Sequence, residues 1–138
     1  MITRLSHVGI YVKDQNEALR FYTEKMGFEI RADMTVGDYR WLTVGPKGQP
    51  DLAIVLNALK ADGPLDEESV KLMAQLQDSG HMSGGVLDTD DCHRDYEELS
   101  AKGVEFIQTP QDQPWGTEAV FRDNSGNWYS LSQRKQMS

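Results

Sequence analysis

A chain of 138 residues, 38% of them apolar, has the size and composition of one ordinary domain. Its longest apolar run, Leu52–Leu56, is far short of the roughly 20 residues that cross a membrane. With 22 acidic residues against 14 lysines and arginines the net charge is −8, which excludes a nucleic-acid partner and is compatible with steering a cationic ligand.

The N-terminal MITRLSHVGIYV lacks the charged region, long apolar region and cleavage site of an export signal. A single cysteine, Cys92, rules out an internal disulfide, so a reducing cytoplasm is expected. His7 to Val12 alternates Val8, Ile10 and Val12 with His7, Gly9 and Tyr11, the period of a half-buried strand. Asp14 is placed to cap a helix, with Glu17 three residues on. Ala18, Leu19, Phe21, Tyr22 and Met26 form its apolar stripe, and Gly27 stops it. Strands are expected at Phe28–Ala32, Arg40–Val44 and Leu52–Leu56, the last two split by the turn Gly45-Pro46-Lys47-Gly48. Pro64 to Leu76 reads as an amphipathic linker helix, extending to about residue 78.

The same order then returns. Gly85–Thr89 is a strand, Asp90 or Asp91 caps a helix carrying Cys92, Tyr96 and Leu99 on one face, and Gly103 ends it. Val104–Ile107, Ala119–Arg122 and Trp128–Leu131 complete the set, the last two joined by Asp123-Asn124-Ser125-Gly126-Asn127. An offset of about 77 residues lays one copy on the other, which marks a single duplication rather than a solenoid. The modules run from about 1 to 60 and from about 82 to 134, within one domain.

Three segments, HVGIYVKDQNEALRFYTEKMGFEI (7–30), DDCHRDYEELSAKGVEF (90–106) and PWGTEAVFRDNSGNWYSL (114–131), resemble the vicinal oxygen chelate superfamily. That group includes glyoxalase I, bleomycin-resistance proteins and extradiol dioxygenases; Asn124 stands where proline is usual. The resemblance implies an α+β fold of two βαβββ modules forming a half-open barrel around a central cleft, and a homodimer. Alternation would turn His7, Gly9 and Tyr11 toward the cleft with Ala53 and Val55, and Gly84, Val86 and Asp88 with Trp128, Ser130 and Ser132. A one-residue slip would reverse each set.

Metal-dependent relatives hold a divalent ion with histidine or glutamine on the first strand of each half and a carboxylate on the fourth. Carried onto this chain, those positions are His7, Ala53, Gly84 and Ser130, and the 77-residue offset nominates the same quartet. Two imidazoles and one or two carboxylates suit such an ion and leave positions open for a substrate; one imidazole with alanine, glycine and serine does not. The expected cofactor is therefore none, with a relocated divalent site using His7 and His81, and Asp88 or Glu118, left open. His93 falls in the second helix, in a solvated or capping place.

The candidate ligand-binding residues are His7, Tyr11, Trp41, Ala53, Gly84, Trp128, Ser130 and Arg122. Aromatic rings at Tyr11, Tyr39, Trp41 and Trp128 suit an aromatic or cationic small molecule, and Trp115 in its PWG turn is less suited. Three ligand-directed functions stay open, beside an interaction or regulatory role with no ligand. One is metal-free binding that sequesters or carries such a ligand. The second is a glyoxalase, lyase or dioxygenase type of metalloenzyme, and the third is acid–base catalysis by His7 without metal.

Overall fold

Alternation in the first segment makes a strand, β1 (His7–Val12), in the computed structural model of the chain, which describes residues 1–135. Ile10 and Val12 are buried and His7 and Gly9 exposed, as their period requires. The Asp14 carboxylate then accepts from the Glu17 N–H at 2.9 Å and starts α1 (Gln15–Arg20). The helix continues into one π-helical turn, Phe21–Lys25, in which the Met26 N–H reaches back to the Phe21 carbonyl at 3.2 Å. Gly27, at φ +73°, ends it.

The strands β2 (Glu29–Val36), β3 (Tyr39–Gly45) and β4 (Ala53–Ala58) follow. They form a four-stranded mixed sheet in the order β1-β4-β3-β2, with β1 and β4 parallel and the other pairs antiparallel. Ala18, Phe21 and Tyr22 are buried with Ile10, Val12, Leu42, Val44, Ile54 and Leu56, the core of this unit. It spans Met1–Ala74, and a second compact unit begins at Gln75.

The second unit repeats the plan. β5 (Ser83–Asp88) is followed by α3 (Cys92–Ala101), β6 (Phe106–Gln113), β7 (Gly116–Arg122) and β8 (Trp128–Arg134), in the sheet order β5-β8-β7-β6. Asp91, rather than Asp90, caps α3, accepting from the Arg94 N–H at 3.0 Å. The core is an aromatic row running from the helix across the sheet. Tyr96, Phe106, Phe121 and Tyr129 follow one another at centroid distances of 4.8, 5.5 and 5.6 Å. Burial and the carboxylates of Asp95 and Asp91 push the Cys92 thiol up, so this buried sulfur stays protonated at neutral pH.

Between the sheets in sequence lies α2 (Glu67–Asp78). It starts three residues later than the sequence suggests because Asp66 is its cap, accepting from the Ser69 N–H at 2.7 Å. Near its other end Gln77 is buried, donating to Asn127 Oδ1 at 3.2 Å in the β7–β8 turn. Most strands outrun their apolar segments, because an outer strand continues as long as its neighbour offers ladder partners. β6 shows this best: its register to β7 shifts twice, and Pro110 lies within the second shift, where it has no ladder partner on β7.

Candidate functional site

In the first unit, the sheet face turned away from α1 carries His7, Gly9 and Tyr11 of β1 and, opposite them, Ala53, Val55 and Asn57 of β4. Thr43 pairs with Val55, so alternation brings Trp41 and Tyr39 of β3 onto this face too. His7 and Trp41 meet there, their rings 5.4 Å apart and tilted by 55°. His7 is exposed, and its Nδ1 lies 2.9 Å from the Ser6 hydroxyl. Ala53 and Val55 are buried.

Toward the end of β1 the same unit holds a pocket of about 400 Å³. Tyr11 and Tyr39 line it with Gln15, Arg40, Asn57 and Lys60. The Asn57 amide lies over Gly9, where a Cβ would come within 2.9 Å of Nδ2. Asn57 and Lys60 were not among the sequence candidates. The signal was available, since Asn57 shares the parity of Ala53 and Val55, but no aromatic or ligand-type residue drew attention to it.

In the second unit, the face turned away from α3 carries Val86 and Asp88 of β5, Trp128, Ser130 and Ser132 of β8, and Glu118, Val120 and Arg122 of β7. Ser130 donates to Glu118 Oε1 at 3.2 Å. Trp128 pairs with Arg122 across the β7–β8 ladder, and both are half-buried. The Arg122 guanidinium lies against Gly80 and 4.0 Å from Glu105, and its buried Nε has no hydrogen-bond partner among the described residues. His81 is exposed with Nδ1 2.7 Å from the Ser79 hydroxyl, and His93 is exposed 3.3 Å from Asp112.

Gly84 departs from its expected place. A register shift between Ser83 and Gly85 makes a bulge, which breaks the alternation and turns Gly84 toward α3. A Cβ there would run into the Tyr129 ring, in the aromatic core. Gly84 therefore does not share a face with Val86, Asp88 and Ser130.

The repeat offset also needs correction. Ile10 pairs with Leu56, and Leu87 with Leu131. Laying Ile10 on Leu87 keeps 77 residues for the first strands (87 − 10), but the fourth strands then differ by 75 (131 − 56). The counterpart of Ser130 is thus Val55, not Ala53. The chemistry is unchanged by the exchange, since neither side chain can ligate.

These donors do not fit a divalent ion of the expected kind. In the first unit one imidazole faces alanine, valine and glycine; in the second, the Ser130 hydroxyl is engaged by Glu118 opposite the side chain of Val86. Among the described residues no three histidines, cysteines or carboxylates come together in a metal-binding group.

Residues 4–131 match the family model described as the Glyoxalase/Bleomycin resistance protein/Dioxygenase superfamily. Over 134 residues, 96% of this chain and 100% of the other, the sequence is 33% identical to YetH of Bacillus subtilis (strain 168). Among solved structures UcmS2 is 50% identical with a TM-score of 0.90, covering 96% of this chain and 98% of that one. TnmS3, an antibiotic binding protein from Streptomyces sp. CB03234, is 33% identical with a TM-score of 0.76, covering 97% and 98%.

Proposed function

We propose a function on one premise: the chain belongs to the Glyoxalase/Bleomycin resistance protein/Dioxygenase superfamily. It is a binding protein that sequesters or carries an aromatic or cationic small molecule, without a metal and without a chemical step. The observation that carries this is the His7–Trp41 pair on a sheet face whose neighbouring positions are glycine, alanine and valine. Such a face offers a planar ring and apolar area but few donors for an ion. Affinity then comes from burying the ligand's rings, with a few polar groups fixing its orientation. The net charge of −8 favours the approach of cationic ligands. Likeness to an antibiotic binding protein supports the same reading.

The test is a titration of the purified chain against a panel of antibiotics and aromatic metabolites, read by thermal shift and tryptophan fluorescence. At least one compound raises the melting temperature, and Trp41→Ala weakens its binding roughly tenfold or more, as losing a buried aromatic anchor does. No shift from any compound at millimolar concentration would sink the proposal.

A further inference from the structure

The pocket at the end of β1 has walls that His7 and Trp41 do not line, and its polar groups differ in how far the protein already uses them. Gln15 Nε2 donates to the carbonyls of Leu56 at 2.8 Å and Arg40 at 3.3 Å. The Arg40 guanidinium gives two bonds of 2.9 Å to Asp33 and one of 2.7 Å to Asn16, so its charge is matched within the protein. Lys60 is different. Its ammonium has three donors and gives one, at 2.9 Å, to the Asp38 carbonyl. It enters no ion pair among the described residues. Asn57 is held over Gly9, and no hydrogen bond among the described residues engages its amide. Against these stands one lining carboxylate, Asp62, while the phenol rings of Tyr11 and Tyr39 supply planar apolar wall.

We propose that this pocket is a subsite for a planar aromatic ligand bearing a hydrogen-bond-accepting oxygen, a carboxylate or carbonyl. Its ring packs against Tyr11 and Tyr39, and its oxygen accepts from Asn57 Nδ2 and Lys60 Nζ. The volume of about 400 Å³ lies within the range of small-molecule sites. The inference rests on the binding role proposed above and names the ligand chemistry: the pocket reverses the bias of the whole chain and disfavours an amine, which would meet the Lys60 ammonium.

Two probes with one ring system test it: 2-naphthoate and 2-naphthylmethylammonium, titrated into the full chain by calorimetry and by NMR of the Asn57 side-chain amide. Naphthoate binds about tenfold tighter than the amine, and its addition moves the Asn57 amide resonances. Asn57→Ala and Lys60→Met each weaken naphthoate about tenfold, the scale of a lost bond to a charged group, whereas neither weakens the amine and Lys60→Met, by removing the repelling charge, tightens it. Lys60 is exposed, so its variant keeps the fold even if the Asn57 variant is destabilised. Equal affinity for the two probes, or naphthoate binding unchanged in both variants, overturns the subsite. So does an absence of naphthoate binding at millimolar concentration. If naphthoate ignores both variants but is lost in Trp41→Ala, the subsite fails and the binding role stands; if the antibiotic panel gives no ligand, the role itself fails.

Discussion

Gly9 and Gly84 sit on the first strands of the two units, yet a methyl group added to each meets a different neighbour. At Gly84 it meets the Tyr129 ring, which is stacked on Phe121 in the core and has nowhere to go. Gly84→Ala is expected to cost about 1–3 kcal/mol, the range for overpacking a well-filled core, measured by urea unfolding. At Gly9, on the exposed face of its strand, the methyl meets only the tip of the Asn57 side chain. Gly9→Ala should leave stability within about 0.5 kcal/mol, because the far end of a flexible side chain moves aside at little cost. Its mark is on binding: with the Asn57 amide moved, naphthoate affinity falls while the unfolding curve stays put. A stability loss at Gly9 matching that at Gly84 would contradict this geometry. The same pair shows what sequence can and cannot resolve. Gly9 obeys simple alternation and was legible. Gly84 was misplaced because alternation presumes an unbroken strand, and a bulge leaves no signature beyond the glycines that permit it.

Charges act most clearly where strands adjoin. Asp33 stands opposite Leu42 and Arg40 opposite Thr35, so the acid and base are diagonal neighbours across β2 and β3 and meet in a two-pronged bond. The Arg40 guanidinium holds the Asp33 carboxyl below its ordinary value. A carboxylate with a lowered folded-state pKa adds stability above its unfolded value, about 4, and loses it as pH falls through the folded one. The stability difference between the wild type and Asp33→Asn should therefore be present at pH 7 and shrink below about pH 4, read from urea titrations at each pH. A difference that does not change with pH would show that the pair contributes nothing. Among the helices, the Asp14 cap and the stops at Gly27 and Gly103 were legible, because each rests on a local rule of backbone bonding. The π-helical turn was not. Ala18, Phe21 and Tyr22 make the same apolar stripe whether the next turn closes after four residues or five, so the spacing carries no trace of it.

For the whole molecule, the duplication was readable because each copy repeats strand, cap, helix, stop and strands in one order. A single offset was too coarse for the site. The drift from 77 to 75 residues equals one strand period, so Ala53 and Val55 lie on the same face and alternation could not separate them. Either assignment leaves one imidazole on the first unit's face. Nickel, zinc or manganese added to metal-stripped protein should accordingly raise its melting temperature by less than about 1 °C, since only an ion that prefers the folded state stabilises it. A stoichiometric shift of several degrees, abolished in His7→Ala, would restore the metalloenzyme reading. Protein that binds without turnover works one molecule for one ligand, so its capacity is its concentration. Here the outer strand β6 acquires a meaning beyond its own sheet. With Pro110 offering no N–H and the register broken twice, an incoming strand finds no continuous ladder to extend. An edge so interrupted does not seed the chain's own aggregation, which suits the one-for-one capture proposed above.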